Sequence, residues 1–365
     1  MTFRRQVLVF PLAWMLIAPL QADVKKILEK TLFENSSQRF RYSEGSILSV
    51  DGSKELLMVV SVYGAADHDV SLAQLLAWRS RDGGLTWKED SPHVFQENIG
   101  KQSTRIASFL RFSRKEVLFF FMVSNSDADS GLWMRRSFDN ARTWQPAVRL
   151  PYEGYGGMAH DHAVLLKSGR IILPSWVSHD RMKSTYSFTF YSDDKGHTWK
   201  KSNEITVRLP SKGRDTSPAA EEPTIVELKD GSLLMLIRTY VGSFFKSYSN
   251  DRGASWSEAV NSGIPAPGSQ PTLVRIPATG DLLLLFNYAE AEEINGPWPR
   301  TRIASAVSRD EGKTFSSIRI LDGSPDFKGK ITMANITFSG KNAIVCYSKS
   351  PNQRNNYSWM LQVLE

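Results

Sequence analysis

Six short apolar runs punctuate the chain, at residues 56–63, 117–123, 171–177, 233–237, 282–286 and 343–347. Runs of this length, entered through Gly or Asp turns, predict buried strands and are too short for helices of a packed core. A polar octet follows each of the first five runs: Ser80-Arg-Asp82-Gly-Gly84-Leu-Thr86-Trp87, Ser137-Phe-Asp139-Asn-Ala141-Arg-Thr143-Trp144, Ser192-Asp-Asp194-Lys-Gly196-His-Thr198-Trp199, Ser249-Asn-Asp251-Arg-Gly253-Ala-Ser255-Trp256 and Ser308-Arg-Asp310-Glu-Gly312-Lys-Thr314-Phe315. Their leading serines lie 57, 55, 57 and 59 residues apart. The octets have the chemistry of a tight turn: Asp accepts hydrogen bonds from the backbone, Gly allows positive φ, and Thr and the aromatic restart a strand. Ala141 stands where the other copies have Gly and is expected to strain its turn. Six apolar strands over residues 23–365, one per unit of about 57 residues, leave room for four strands per unit. This predicts an all-β, six-bladed β-propeller in a single domain over 23–365, with segment 26–33 closing the ring against the last blade.

Composition narrows the picture. At 41% hydrophobic residues the chain can bury a large core. The single cysteine, Cys346, excludes a disulfide framework and multi-cysteine metal sites. The net charge of +7 favours anionic partners, but the cations are scattered singly, so nucleic acid is not an expected partner. Arg4 and Arg5, an apolar stretch and Ala22 read as an export signal over residues 1–22, cleaved to leave a periplasmic or secreted protein with no membrane span.

The Ser-x-Asp-x-Gly-x-Thr-Trp octets resemble the Asp-boxes, or bacterial neuraminidase repeats, of the sialidase superfamily, across essentially the whole chain after residue 22. In that family the boxes lie away from the active site, so they imply the fold and leave the chemistry open. The stretch Glu221-Glu222-Pro223 through Asp230-Gly231 to Arg238 is similar to the family segment in which a glutamate activates a tyrosine nucleophile and an arginine grips a substrate carboxylate. The resemblance implies those roles for Glu222 and Arg238, one hairpin apart. The alternative reading is a turn cap and a solvated strand end. Arg300, eight residues before a box serine, resembles the second carboxylate-binding arginine, with Arg302 as the near alternative. Arg41 is the local candidate for the third. Asp67 and Asp69, in the loop after the first apolar strand, are the candidates for the acid.

Two features depart from the family. Met333 falls where the family places its tyrosine nucleophile, and a thioether cannot take that role. Tyr240, Tyr288 and Tyr347 are the nearest substitutes, each also readable as a core residue. The segment His160-Asp161-His162 has no counterpart in the family. On a strand, alternation would set the two histidines on one face, able to transfer protons or to hydrogen-bond sugar hydroxyls. Histidines satisfied by backbone carbonyls are an equally open reading, and without a third ligand no metal or cofactor is expected. The leading expectation is a sialidase-like glycoside hydrolase for sialic acid or another carboxylate-bearing glycan. The alternatives are a hydrolase or lyase for a different acidic sugar using His160 or His162, and a non-catalytic carbohydrate-binding propeller with Trp176 or Trp298 as a stacking aromatic.

Overall fold

The computed structural model describes residues 24–50, 54–64, 71–96, 103–126, 129–152, 154–180, 184–207, 219–295 and 299–365. The expected export signal therefore lies outside the described residues. Each apolar run forms the second strand of an antiparallel sheet: Leu56–Tyr63, Val117–Ser126, Ile171–Ser178, Leu233–Arg238, Leu282–Asn287 and Asn342–Ser350. Both faces of these strands are covered. In Leu56–Tyr63 all eight residues are buried, which is why the run reads as continuous rather than alternating.

Hydrogen bonding divides the strands into four discrete blades and one larger sheet. Glu221–Glu227, Leu233–Arg238, Ser243–Ser249 and Val260–Pro265 form one blade, and Thr272–Arg275, Leu282–Asn287, Arg302–Ser308 and Ser316–Gly323 another. A third runs Tyr155–Met158, Ile171–Ser178, Thr185–Ser192, Lys200–Lys201, with the short Val164–Leu165 also on its second strand. In the fourth, Lys26–Phe33 pairs with Ser358–Leu364 beside Asn342–Ser350 and Lys330–Ser339. Segment Lys26–Phe33 thus joins the last blade, as the sequence suggested.

The count of six separate blades is not what the ladders deliver. Residues 41–149 form a single eight-stranded sheet, because one parallel bridge, Ala73 to Ser103, links what would be two hairpin stacks. The arrangement is propeller-like and all-β; the short 3-10 turn Ala291–Asn295 is the one helical element among the described residues. None of the helices described is long and apolar enough to cross a membrane.

Side-chain packing is more regular than the sheet count. Six hydrophobic clusters lie between successive groups of strands. Strand alternation feeds them in pairs: Leu57 and Val59 pack toward Phe119 and Phe121, whereas Met58 and Val60 face Cys346, Trp359 and Leu361 of the closing blade. Burying each such side chain contributes roughly 1.5–3 kcal/mol.

The octets turn back from the third strand of each group with one bonding pattern. In the first, Ser80 Oγ donates to Asp82 Oδ1 at 2.8 Å and accepts from Gly84 N at 2.9 Å, while Asp82 accepts from Thr86 N at 2.9 Å. Glycine takes the left-handed position in four copies, with φ from 80° to 95°. Ala141 adopts the same conformation at φ 62°, the strained substitution that its sequence implied.

Candidate functional site

Away from the octets, at the opposite ends of the same strands, the innermost strands share a second device. Their ladders slip at Ser43/Ser46, Arg105/Ala107, Glu221/Thr224 and Thr332/Asn335. At each bulge a non-glycine residue has positive φ: Glu44 at 53°, Ile106 at 56°, Glu222 at 41° and Met333 at 55°. Bulges re-aim side chains that regular pleating would send into the sheet packing. Polar links join the strands across the sheets. Ser46 Oγ accepts from Phe109 N at 3.0 Å, Ser108 Oγ from Ala163 N at 3.0 Å, and Asn335 Nδ2 donates to Gly45 O at 2.8 Å.

The Glu221–Glu222 bulge faces the end of the next strand, where Glu221 and Arg238 are register partners. Pro223, which has no N–H to lose, follows in the interrupted stretch. Arg238 Nη1 donates to Glu222 in a short ion pair and lies 3.8 Å from Glu221. Its Nη2 donates at 3.0 Å to the Tyr240 hydroxyl, which in turn donates to Glu221 Oε2 at 2.6 Å. Burial alone would lower the Arg238 pKa, but Glu222, Tyr240 and Glu221 outweigh it and hold the guanidinium above its ordinary value. Burial and Glu221 push the Tyr240 phenol up, with Arg238 opposing. Tyr240 is nevertheless 43% exposed, so this polar cluster opens to solvent.

Arg300 joins the cluster. Its Nη1 donates to Thr332 Oγ1 at 3.2 Å, and its Nη2 donates to the Gly268 carbonyl. Burial, and then the charge of Arg238, lower its pKa to about 10, with Tyr357, Glu222 and Tyr240 acting the other way. A guanidinium whose charge is disfavoured in this way gains from an incoming anion. Arg302, two residues on at the start of its strand, pairs with Glu293 and lies over the Tyr288 ring at 5.1 Å.

Arg41 occupies an adjoining cluster that includes two residues the sequence reading missed. Glu44 lies 3.8 Å from Arg41 and 3.6 Å from Arg105, and accepts from the Tyr63 hydroxyl at 2.8 Å. All four side chains are buried. Arg41 stacks 4.3 Å above the Tyr63 ring and 5.9 Å from that of Tyr357. Since Tyr357 also acts on Arg300, it links the two clusters. Glu44 and Arg105 were legible only through the inner-strand register, in which Ser43-Glu44-Gly45-Ser46 and Arg105-Ile106-Ala107-Ser108 match Glu221-Glu222-Pro223-Thr224.

The histidines do not sit on a strand. Tyr155–Met158 ends before them, and Asp161 turns the chain at φ 57°. Their rings still stack, 6.0 Å apart. His162 is held by Pro223 O and Thr272 Oγ1, each at 3.3 Å, and by Gln270 Nε2 at 3.4 Å, the satisfied reading of that residue. Burial and His160 lower its pKa to about 3. His160 differs: burial takes it to about 4 against the pull of Glu222, and its Nε2 is buried with no hydrogen-bond partner among the described residues. Asp161 accepts from Ser46 Oγ, and burial raises its carboxyl well above the usual range. No group of three His, Cys, Asp or Glu side chains able to hold a metal occurs among the described residues.

Met333 is on the innermost strand of the closing blade, Lys330–Ser339, and its backbone lies within reach of His160. Tyr347 is fully buried on Asp322 and Gln362, and Tyr288 bonds Glu290, so of the three substitute phenols Tyr240 alone meets the Arg238 cluster. Trp176 is half-buried edge-on to Tyr155 at 6.2 Å. Asp67, Asp69 and Trp298 lie outside the described residues.

Residues 66–365 match the model of the BNR repeat-like domain, most of the chain. The chain belongs to this family, within the sialidase superfamily. Among curated relatives, this BNR repeat-like chain is 25% identical over 249 residues to a sialidase of Paraclostridium sordellii, a match covering 60% of this chain and 58% of that protein. It is 31% identical over 164 residues to sialidase-4 of Homo sapiens, covering 39% of this chain and 32% of that one. It thus spans less than two thirds of these relatives. Of solved structures, a Dyadobacter fermentans protein of unknown function superposes with TM-score 0.73 at 16% identity, over 94% of this chain and 99% of that one. Trypanosoma rangeli sialidase in complex with sialic acid superposes with TM-score 0.71 at 15% identity, covering 92% and 58%. These likenesses describe the fold.

Proposed function

We propose that this BNR repeat-like protein is a sialidase-type glycoside hydrolase for a carboxylate-bearing sugar, with sialic acid the leading candidate. The observation that carries the reading is the meeting of Glu222, Arg238 and Arg300 with Tyr240 in one solvent-accessible polar cluster. Arg238 and Arg300 receive the sugar carboxylate through charge-assisted hydrogen bonds. Arg41, already matched by Glu44, orients the neighbouring wall rather than gripping the substrate.

Tyr240 supplies the hydroxyl that Met333 lacks. Its proton is held on by burial, so attack on the anomeric carbon requires transfer to Glu221, 2.6 Å away, in the same step. Glu222 balances Arg238 and stabilises the positive charge that develops on the sugar ring. Asp67 or Asp69 protonates the departing oxygen. The blade count belongs to the same proposal: with the eight-stranded sheet read as two blades, the six core clusters form one ring, as expected of a six-bladed propeller. Export of residues 23–365 after cleavage at Ala22 also stays a proposal, carried by the sequence alone.

The Met333 substitution favours one second reading, a carbohydrate-binding propeller that keeps the arginines and does not turn over. Incubation with a fluorogenic sialoside and a panel of uronate glycosides separates the two. Release that falls at least about a hundredfold in Glu222→Gln and Tyr240→Phe supports the hydrolase. Binding without release supports the second reading, and an unsaturated product absorbing in the ultraviolet identifies a lyase.

A further inference from the structure

The strand Ser103–Arg111 carries Arg105 into the buried Glu44 cluster at one end and Arg111 at the other, about 20 Å away along the strand. Around Arg111, at the octet end, lies a cavity of about 760 Å³ whose lining includes Arg114, Lys115, Phe138, Asn140 and Arg142. We infer that this cavity is a second, non-catalytic binding site for an acidic oligosaccharide.

Several independent features converge on that ligand. Arg111 is already committed: its guanidinium donates to the carbonyls of Ser49 and Val50 at 2.7 Å each and to those of Ser113 and Arg114, so it builds the wall. Among the described residues the side chains of Arg114, Lys115 and Arg142 make no ion pair or hydrogen bond, and the one acid in the lining, Asp139, is occupied by Ser137 and Thr143 within its turn. Three cations therefore face the cavity with their charges available.

Phe138 is 57% exposed, and the other four octets carry Arg81, Asp193, Asn250 or Arg309 at its position. An aromatic ring in water beside a cavity offers a flat face for the C–H side of a sugar. Asn140, held at φ 64°, lines the cavity with its side chain half-buried. A side-chain amide at the cavity wall suits a sugar hydroxyl, since it can both donate and accept. Cations alone would accept any small anion. The ring and the amide beside them select a carboxylated chain of sugars over a bare ion, an assignment that does not depend on turnover at the Arg238 cluster.

The test uses the full chain carrying Arg300→Ala, which silences the proposed catalytic site while keeping the Arg238 ion pairs that support the fold. Calorimetric titration with a galacturonate hexamer, a neutral galactose hexamer and inorganic phosphate compares the ligand classes. The inference expects the galacturonate hexamer to bind at least tenfold more tightly than either of the others. Adding Phe138→Ala, or Arg114→Ser with Arg142→Ser, should weaken it at least tenfold, with the thermal midpoint unchanged because these side chains are exposed. Phosphate binding as well as the hexamer, loss of all binding in the silenced protein, or indifference to both additions would overturn the inference. Sialoside release by the unmodified protein, measured in parallel, bears only on the hydrolase reading, so the two can fail separately.

Discussion

The two ends of the strands teach different lessons. At the octet end, five turns of different sequence converge on one bonding pattern: Asp194 and Asp310 each accept from the serine two residues before and the threonine four residues after, as Asp82 does. At the bulge end, one backbone device presents unrelated chemistry. Glu44, Ile106, Glu222 and Met333 share a left-handed bulge position yet carry carboxylate, aliphatic and thioether side chains. The repeat fixes where a side chain will be aimed, and the individual residue decides what it does there. Holding non-glycine residues at positive φ costs of order 1–3 kcal/mol each, a strain commonly found at functional sites.

The sharpest way to break this contrast is to cut each end once. Arg238→Ala leaves the buried Glu221 and the half-buried Glu222 side by side without their counter-ion, so it should lower stability by up to about 3–5 kcal/mol in chemical denaturation and abolish carboxylate binding. Asp251→Ala at the octet end removes hydrogen bonds to Ser249 and Ser255. Its expected loss is about 1–2 kcal/mol, with turnover and ligand affinity unchanged. Equal effects of the two substitutions on ligand binding would erase the distinction between the ends.

Acid sharpens it further. His162 is neutral when folded down to a pKa of about 3, whereas the unfolded chain protonates it near pH 6.5. The unfolded state therefore binds more protons between these values, and the His162 contribution to stability is lost as pH falls through that window. Asp161, with its raised pKa, acts in the opposite direction, so the informative quantity is a difference. His162→Gln should reduce the slope of stability against pH by up to about 1.4 kcal/mol per unit between pH 6 and 4. The octet carboxylates respond later. Asp139 and Asp310, held near about 2 by the hydrogen bonds of their turns, contribute stability above the ordinary carboxylate range and lose it as pH falls toward 2. The smallest effect is alkaline: with Arg300 near about 10, affinity for a carboxylate should weaken above that pH in wild type and show no such step in Arg300→Ala.

Much of the fold was legible because its signals are local and repeated. The apolar runs appear as strands within a residue or two at most ends, and the octets as turns. The blade count diverged at the single bridge between Ala73 and Ser103, a contact between sheets that no local pattern encodes. For the site, Glu222, Arg238 and Arg300 could be read from one hairpin and one box spacing. Glu44 and Arg105 could not, since each gains its meaning from the other across a bulge. The histidine pair looked like one unit in sequence. Packing divided it, giving His162 its partners from two other strands and leaving His160 Nε2 without one among the described residues.

The most direct test of the proposed carboxylate site is to titrate sialic acid and its methyl ester, which lacks the charge, into the wild type and the Arg238→Ala and Arg300→Ala variants. The account predicts that the acid binds at least about a hundredfold more tightly than the ester, and that each arginine substitution removes most of that preference. Equal affinity for acid and ester, or a preference that survives both substitutions, would contradict it.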